Sequence, residues 1–390
     1  MHVEHLPTPR QLLAPVALLL MGCCLAFGAG PASANHVSCG ERITADTTLD
    51  RDLVNCPNHG IVIAADGVTL DLNGHLVDGD GTPAADCDPQ KEPCDFGLFN
   101  DGHDGVTVKD GSVREFASGV LFGTASGRAR HNRVLGVSAT RNQFAGLGIF
   151  SQVRSLVRNC SGDGSLDREG SGMQLADANH VRILNNSFRH NAQNGLVTFE
   201  SNRNLIERNL FLRNDEEAIL MEGGNRFRIT RNRVVRNGGG ITLGPGSRNV
   251  ITRNRVSRGR EGIRIEKGRG NLVAHNVVIA AHRAGIRLGI HKPSIGGAHN
   301  VVRRNLVRNS VVDGFLVGKK DAHSLLLGNI ARGAGDDGFD VESRSATLTR
   351  NRAVRNADLG IEAMFGVIDG GGNIARNNGN PAQCTNIFCS

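Results

Sequence analysis

A pattern of the form apolar-x-x-Asn-x-apolar recurs along the second half of the chain, about once every 22 residues. Its asparagines are Asn186, Asn209, Asn232, Asn254, Asn276, Asn305, Asn329, Asn351 and Asn373. We expect Asn159 to extend this column toward the N-terminus. A fixed repeat of this length indicates a solenoid, in which each segment stacks on its equivalent in the next coil. Stacked asparagine amides are then expected to hydrogen-bond along the solenoid axis.

A second column, a glycine followed by apolar-x-apolar, comes about nine residues after each asparagine and keeps the same period. Its members are Gly172, Gly195, Gly240, Gly262, Gly285, Gly314, Gly338 and Gly360, with Ala218 once in place of glycine. Apolar residues spaced by two are typical of strands, and no segment offers ten residues of helical periodicity. The two columns predict an all-β, right-handed parallel β-helix of about 10–12 coils of about 22 residues.

The chain divides into four predicted segments. These are a signal peptide (1–34), an N-terminal cap (35–60), the β-helix (61–380) and a C-terminal disulfide cap (381–390). Arg10, the apolar run 12–29 and the small residues 32–34 are typical of an export signal with its cleavage site. We therefore expect a secreted, periplasmic or cell-surface protein with no transmembrane segment after cleavage. Lipidation at Cys23 is the alternative mode of export.

The cysteines that follow the predicted cleavage site form local groups, which predict disulfides in an oxidising compartment. The expected pairs are Cys39–Cys56, Cys87–Cys94 and Cys384–Cys389. Sequence proximity leaves their connectivity open. Cys160 remains without a partner, and we expect a buried thiol there, with a reactive nucleophile as the alternative.

The composition indicates how a ligand would be recognised. The net charge is +7, which favours a polyanion as partner, and the export signal favours acidic polysaccharide over nucleic acid. The chain has no Trp and no Tyr, so it lacks the usual stacking platforms for neutral sugars. A basic row is expected along one face, formed by Arg213, Arg236, Arg258, Arg308, Arg332 and Arg355. We expect a monomer.

The two columns resemble the parallel β-helix repeat, or pectate-lyase-like, superfamily over roughly residues 60–380. That superfamily spans pectin-degrading enzymes, alginate lyases and epimerases, and accessory proteins of nitrous-oxide reductase maturation. The resemblance implies the fold and leaves the activity open.

One part of the resemblance concerns chemistry. Pectin-hydrolysing members carry N-T-D-G and, one coil later, G-D-D-C, followed by G-H-G and R-I-K. Residues 311–314 and 335–343 resemble the first two motifs, which implies catalytic roles for Asp313, Asp336 and Asp337. The next coil has no histidine at the matching place, and no R-I-K follows it. Because the chain has no Tyr, the tyrosine-dependent lyase and epimerase mechanism is excluded.

Strand alternation predicts an outward position two residues after each glycine. Its members are Gln174, Val197, Leu220, Thr242, Arg264, Arg287, Leu316, Asp340 and Glu362. Asp340 thereby joins the catalytic candidates. Arg264, Arg287 and Glu362 are candidate substrate-binding residues, together with Lys292 in an insertion at 289–300.

Asp313 and Asp337 occupy equivalent places on adjacent coils, so their backbones should lie roughly 5 Å apart. Such carboxylates respond by raising a pKa or by binding a cation. The first response supplies the general acid that glycoside hydrolysis needs, and the second supplies a Ca²⁺ site for β-elimination. Asp before Gly is also a common turn residue, so a structural role is the alternative.

We therefore expect an exported protein that binds an acidic polysaccharide or another polyanion, and the sequence leaves open whether it also cleaves it as a lyase or hydrolase. No cofactor is required, Ca²⁺ is an optional ligand, and the metal ligands are not assigned. A non-catalytic surface or carbohydrate-binding β-helix is the first alternative. A periplasmic accessory protein of a metalloenzyme is the second.

Overall fold

The computed structural model describes residues 36–82, 95–123, 127–166, 168, 170–289 and 296–390. In these ranges the chain winds as a parallel β-solenoid of about 14 turns, with coils of about 23 residues and no helix. None of the described residues belongs to a helix long and apolar enough to cross a membrane. The predicted parallel β-helix is confirmed.

Each regular coil contributes one short strand to each of three parallel sheets. The first sheet contains Glu41–Ile43, Ile61–Ile63, Phe96–Asp101, Ser118–Gly123, Ala145–Phe150, Ser171–Ala176, Leu196–Phe199, Glu217–Glu222, Gly239–Leu243, Ile263–Ile265, Ile286–Leu288, Phe315–Val317, Phe339–Val341, Ile361–Ala363 and Cys384–Thr385. The second contains Thr47–Thr48, Thr69–Asp71, Thr107–Arg114, Arg133–Thr140, Leu156–Arg158, Arg182–Leu184, Leu205–Glu207, Arg228–Thr230, Val250–Thr252, Leu272–Ala274, Val301–Arg303, Leu325–Leu327, Thr347–Thr349 and Ile368–Asp369.

The third sheet shares Thr107–Arg114 and Arg133–Thr140 with the second, because these two strands are long enough to span the bend between them. Its other strands are Leu53–Cys56, Leu76–Gly79, Ser161–Asp163, Ser187–Arg189, Leu210–Leu212, Arg233–Val235, Arg255–Ser257, Val277–Ile279, Leu306–Arg308, Ile330–Arg332, Arg352–Val354 and Ile374–Arg376. A separate two-stranded pair joins Ala129–Arg130 to Gln152–Val153.

The solenoid has more turns than the ten to twelve expected, because the ends of the chain also wind in register. Residues 36–60, expected as a cap, supply a strand to each of the three sheets. Cys384–Thr385 is the last strand of the first sheet and pairs with Ile361–Ala363. The end coils therefore continue the same hydrogen-bonded ladders as the central coils.

The predicted asparagine ladder lies at the bend between the second and third sheets. The backbone N–H of Asn209 donates to Oδ1 of Asn232 at 2.9 Å, and its Nδ2 donates to the same oxygen at 3.0 Å. Nδ2 also donates to the carbonyl of Ile183 in the preceding coil at 2.9 Å. Each amide thus satisfies a buried N–H and a buried carbonyl of the preceding coil and donates to the amide oxygen of the next coil.

One member of that ladder was misplaced by one residue. Cys160, not Asn159, donates its backbone N–H to Oδ1 of Asn186, at 2.9 Å. Asn159 occupies the preceding position, where φ is +56°. The irregular interval before Asn186 hides this offset from the sequence. Two further ladders, which the sequence reasoning missed, occupy the other bends. They are Asn191, Asn214 and Asn237, and Asn249, Asn271 and Asn300.

The glycine column is required by the close approach of neighbouring coils, since its members do not have positive φ. A Cβ added at Gly240 would lie 2.0 Å from the carbonyl oxygen of Gly262, and one at Gly314 would lie 2.4 Å from that of Gly338. The interior is filled by stacked aliphatic side chains and by phenylalanines. Phe315 and Phe339 stack with their ring centroids 4.6 Å apart.

Two of the predicted disulfides are confirmed, Cys39–Cys56 and Cys384–Cys389. Cys160 is a free, buried thiol, and burial raises its pKa to about 11, which agrees with the inert role expected. The remaining pair Cys87–Cys94, the signal peptide with Cys23, and Lys292 lie outside the described residues.

Candidate active site

The position directly before the glycine column carries a buried or half-buried acid in several coils, and we call these residues the acid column: Glu217, Glu261, Asp313 and Asp337. They share one place in the coil, at the bend where the third sheet leads into the first. The N–H of Gly285 donates to the carbonyl of Asp313 at 3.0 Å, and that of Gly314 donates to the carbonyl of Asp337 at 2.9 Å. Asp313 and Asp337 therefore lie on adjacent coils, as the repeat predicted.

The acid column is buried although its members are ionisable. Glu261, Asp313 and Asp337 are 4%, 6% and 4% exposed. The Glu217 side chain is 12% exposed. A buried carboxylate needs a counter-charge, a set of hydrogen-bond donors or a proton, because burial disfavours its charged form.

In the first half of the column, arginines supply the counter-charge. Arg264 donates from its guanidinium to Oε1 of Glu217 at 3.2 Å, and Arg287 donates to Oε1 of Glu261 at 3.5 Å. Arg264 also lies 3.3 Å from Glu266. Both arginines come from the predicted outward position and reach back along the axis toward earlier coils.

These contacts bear on the predicted substrate-binding role of the two arginines, which stays a prediction. Their Nε atoms are buried and have no hydrogen-bond partner among the described residues. A substrate carboxylate that bound Arg264 or Arg287 would therefore have to share the guanidinium with Glu217 or Glu261.

In the second half, the described residues supply no such counter-charge. Among the described residues, no basic nitrogen lies within 4.0 Å of the carboxylate oxygens of Asp313 or Asp337. The N–H of Leu359 donates to Oδ1 of Asp337 at 2.8 Å. The outward position here carries Asp340 and Glu362, which pair in register on adjacent strands.

The structure thus brings the four predicted catalytic aspartates together with Glu362. We call this group the carboxylate cluster: Asp313, Asp336, Asp337, Asp340 and Glu362. Asp336 and Glu362 are exposed, Asp340 is half-buried, and the other two are buried. The signal that located the cluster was the coil period, which places residues 313 and 337 one turn apart.

Burial and mutual repulsion raise the pKa of three members. Burial raises the pKa of Asp337 to about 8, and the hydrogen bond with Glu362 and the charge of Asp336 act in the same direction. Burial, followed by the charges of Asp313 and other nearby acids, raises the pKa of Asp340 to about 7. The pKa of Asp313 rises to about 6, again chiefly through burial and then through Asp336.

The same acids offer a second chemical option. The carboxylate oxygens of Asp336, Asp337 and Asp358 lie within 4.8 Å of one another, a spacing that can hold a cation. Carboxylate oxygens are the ligands that Ca²⁺ prefers. Binding there would require the Asp337 carboxyl to lose its proton, so proton storage and cation binding compete at this residue.

Two other predicted features are only partly assembled. The basic row separates into two neighbouring columns, because Arg213, Arg236 and Arg258 have positive φ whereas Arg308 and Arg332 lie one position earlier, inside strands. The insertion at 289–300 begins after Arg287, as expected, but 290–295 lie outside the described residues. His299, at its end, stacks on His323 with ring centroids 5.3 Å apart.

A family model described as "Right handed beta helix region" matches residues 96–244 and 171–322, which together make up more than half of the chain. The chain belongs to the right-handed β-helix family. The resemblance seen in the sequence is therefore confirmed. No curated protein sequence matches the chain.

Several solved structures are similar to this β-helix protein. The A-module of the mannuronan C-5 epimerase AlgE4 of Azotobacter vinelandii is 16% identical, with 80% of this chain and 79% of that chain covered and a TM-score of 0.44. An exopolygalacturonase of Thermotoga maritima is 10% identical, covers 75% and 83%, and has a TM-score of 0.47. A variant of the periplasmic alginate epimerase AlgG is 13% identical, covers 91% and 78%, and has a TM-score of 0.45.

These neighbours are named for activities on polysaccharides. At identities of 16% or less, however, their likeness to the β-helix protein describes the fold alone. Its activity has to be argued from its own residues.

Proposed function

We propose that this β-helix protein is an exported enzyme that binds an acidic polysaccharide and hydrolyses its glycosidic bonds at the carboxylate cluster. The observation that carries the proposal is the stacking of Asp313 and Asp337 on adjacent coils, beside Asp340 and Glu362. Because no basic group within the described ranges neutralises the two buried aspartates, at least one carboxyl holds a proton near neutral pH. A protonated carboxyl beside a second carboxylate is the pair that glycoside hydrolysis requires.

Each member of the pair has a defined task in this scheme. Asp337, with its pKa of about 8, donates its proton to the glycosidic oxygen as the bond between that oxygen and the anomeric carbon breaks. The exposed Asp336 accepts a proton from the water whose oxygen attacks the anomeric carbon. The products are two sugar chains, and the two carboxyls regain their starting states by exchanging protons with solvent.

Hydrolysis is favoured over β-elimination by the positions of the arginines. Elimination needs a base for the proton next to a uronate carboxylate and a cation to neutralise that carboxylate. Arg264 and Arg287 are the nearest basic residues of the outward column, and both are engaged by internal glutamates. β-Elimination would instead require a cation such as Ca²⁺ at Asp336, Asp337 and Asp358.

Charge accounts for the choice of an acidic polymer. A proton on Asp337 reduces the repulsion that an anionic substrate would meet at the cluster. Arg264 and Arg287 continue the outward column on the coils that precede it, so uronate carboxylates bound beside the cluster would extend toward them. Recognition by stacking on Trp or Tyr is excluded by composition.

The disulfides support an extracytoplasmic site of action. Cys39–Cys56 and Cys384–Cys389 lie in the first and last coils of the described solenoid. Disulfides persist in oxidising compartments and are rare in the cytosol. Together with the apolar segment 12–29, they support export of the chain.

The test is the isosteric substitution Asp337→Asn, assayed on a panel of polyuronates for both reducing ends and unsaturated uronates. We expect the wild-type protein to release reducing ends and the variant to be slower by about 100-fold or more, since a general acid contributes 10²–10⁴-fold. Glu217→Gln, in the same column but in its arginine-paired half, is the matched control and should retain turnover.

Three outcomes would contradict this function. Unchanged turnover in Asp337→Asn would show that Asp337 is not the general acid. Unsaturated products that depend on added Ca²⁺ would show elimination instead of hydrolysis. Salt-sensitive binding of polyuronates without either product would show a non-catalytic binding protein.

A further inference from the structure

A concave basic surface lies at the other end of the first-sheet strands from the carboxylate cluster. It follows these strands at the bend that leads into the second sheet and encloses about 910 Å³. We call it the arginine groove. Its basic lining is formed by Arg128, His180, Arg203, Arg226, Arg248, Arg269 and His299. The sequence reasoning did not identify it, because the basic row noted there lies at a different bend.

The groove repeats one basic residue per coil along its centre. The N–H of Arg203 donates to the carbonyl of Asn225 at 2.9 Å, and that of Arg226 donates to the carbonyl of Ser247 at 3.0 Å. Arg203, Arg226 and Arg248 therefore occupy equivalent positions on three consecutive coils. Adjacent parallel strands are about 4.8 Å apart, so the side chains start at this interval along the axis.

Within the described ranges, the charge of these arginines is not neutralised by any carboxylate. In the described part of the chain, no carboxylate lies within 4.0 Å of Arg203, Arg226 or Arg248, and all three are exposed. The contrast is with Arg231 on the neighbouring face, which lies 2.7 Å from Glu207. Three like charges stacked without counter-charges repel one another, and an anionic ligand would relieve that repulsion.

The floor of the groove adds polar groups that can hydrogen-bond a hydroxylated ligand. Asn202 and Asn225 stack as neighbours, with Nδ2 of Asn225 donating to Oδ1 of Asn202 at 3.1 Å. Ser247 continues this row. At the N-terminal end of the groove, Arg128 contacts Asp177, and it is the one arginine of the lining that pairs with an acid among the described residues.

We propose that the arginine groove is a second, non-catalytic binding site for a linear acidic polysaccharide, lying parallel to the solenoid axis. The groove extends over about seven coil intervals, or roughly 30 Å at about 4.8 Å per coil. One arginine per coil along the three central coils matches a polymer with one carboxylate or sulfate per sugar. The class of polymer rests on the proposed function, whereas the existence of the site rests on the groove itself.

Nucleic acid fits the groove less well. Proteins that bind single strands stack the bases on aromatic side chains, and the described lining contains no Phe, Tyr or Trp. The amide groups of asparagine and the hydroxyl group of serine can hydrogen-bond to sugar hydroxyls. Because such groups recur from coil to coil, a repetitive polysaccharide finds equivalent partners in every register.

The test compares two triple variants of equal charge. R203Q/R226Q/R248Q removes the groove arginines. R208Q/R231Q/R253Q removes three arginines that also have positive φ and also lie on consecutive coils, but at another bend. The probe is a homogeneous oligogalacturonate long enough to span the groove, with its methyl-esterified form as the uncharged control, and affinity is measured by calorimetry over a range of salt.

We expect the groove variant to bind oligogalacturonate at least about tenfold more weakly, and its dependence of log K on log salt to flatten by about 2 for three lost contacts. The matched variant should bind like wild type, and the ester should not bind. Equal losses in both triple variants, equal binding of the ester, or unchanged binding by the groove variant would each overturn the proposal. Tighter, groove-dependent binding of oligodeoxythymidylate would replace polysaccharide by nucleic acid.

Failure of the groove and failure of the proposed catalysis are separable. The binding experiment is repeated in an Asp337→Asn background, where turnover is not needed for a signal. Groove-dependent binding without turnover leaves the groove in place and removes the catalytic proposal. Turnover together with unchanged binding by the groove variant removes the groove proposal and leaves the catalytic proposal in place.

Discussion

The two halves of the acid column occupy the same place in the coil and differ in the charge that faces them. Glu217 and Glu261 are paired with arginines that come from the outward position of later coils. In the coil that follows Asp337, that outward position carries Glu362 instead of an arginine. Asp337 itself is buried to the same extent as Glu261. The backbone therefore fixes where an acid lies, while the outward residue decides whether it is an ion-paired or a proton-holding group.

This difference separates a structural use of a buried carboxylate from a chemical one. Where the counter-charge is present, the carboxylate is ion-paired with an arginine one or two coils later, and the charge of Arg264 opposes the burial that raises the pKa of Glu217. Where the counter-charge is missing, the carboxylate takes up a proton, because burial disfavours its charged form. The pKa of Asp337 at about 8 is the result of the second situation.

The largest effect is expected from breaking the paired half. Arg287→Met leaves Glu261 buried with only the exposed Arg283, 3.9 Å away, as counter-charge, since the Arg287 and Glu261 side chains are only 12% and 6% exposed. We expect the free energy of unfolding to fall by about 3 kcal/mol. Chemical denaturation measures it, and the double variant E261Q/R287M should recover most of the loss. Full stability in Arg287→Met would show that the pair contributes nothing.

The next effect comes from giving the second half a counter-charge. Glu362 stands to Asp337 as Arg287 stands to Glu261, one coil later in the outward column. Glu362→Arg should lower the pKa of Asp337, abolish its proton at neutral pH and slow hydrolysis by about 100-fold. The pH–rate profile measures this, and activity should return at acidic pH. Glu362→Gln, which adds no cation, is the matched control, and equal behaviour of the two variants would contradict the account.

A smaller effect is expected on the pH dependence of stability. The pKa values of Asp313, Asp337 and Asp340 in the folded protein lie above the ordinary value of 3.8. The native state then binds more protons than the unfolded state between about pH 4 and pH 8, so the free energy of unfolding falls as pH rises through this window. Because one pKa unit corresponds to about 1.4 kcal/mol, we expect a fall of at least about 1 kcal/mol over this window.

The double variant D337N/D340N is the means of assigning that slope. It should flatten the decline in stability between pH 4 and pH 8, as followed by urea denaturation at several pH values. A decline that is as steep in the variant as in the wild-type protein would assign it to other groups.

The sequence predicted the fold and the location of the cluster for the same reason. Glycines at 240 and 314 keep the coil period because a Cβ there would collide with the next coil, so the period can be read without a structure. Strand alternation then places Asp340 and Glu362 in one outward column, and the register confirms it.

What the sequence did not predict depends on side-chain direction and on turn shape. Arg264 reaches Glu217 two coils earlier, a choice set by which acid lies within range and not by the repeat. The arginine groove depends on the depth of a bend, which residue spacing does not encode. The place of Cys160 in the ladder required the register of an irregular coil.

The central claim is that the unpaired half of the acid column holds protons near neutral pH. Its most direct test is a carbon-13 NMR titration of the aspartate carboxyls in wild-type protein and in Asp337→Asn. We expect a carboxyl that titrates at about pH 8 in the wild-type protein and is missing from the variant. If every aspartate carboxyl completes its titration below about pH 5, close to the ordinary range, the account is contradicted.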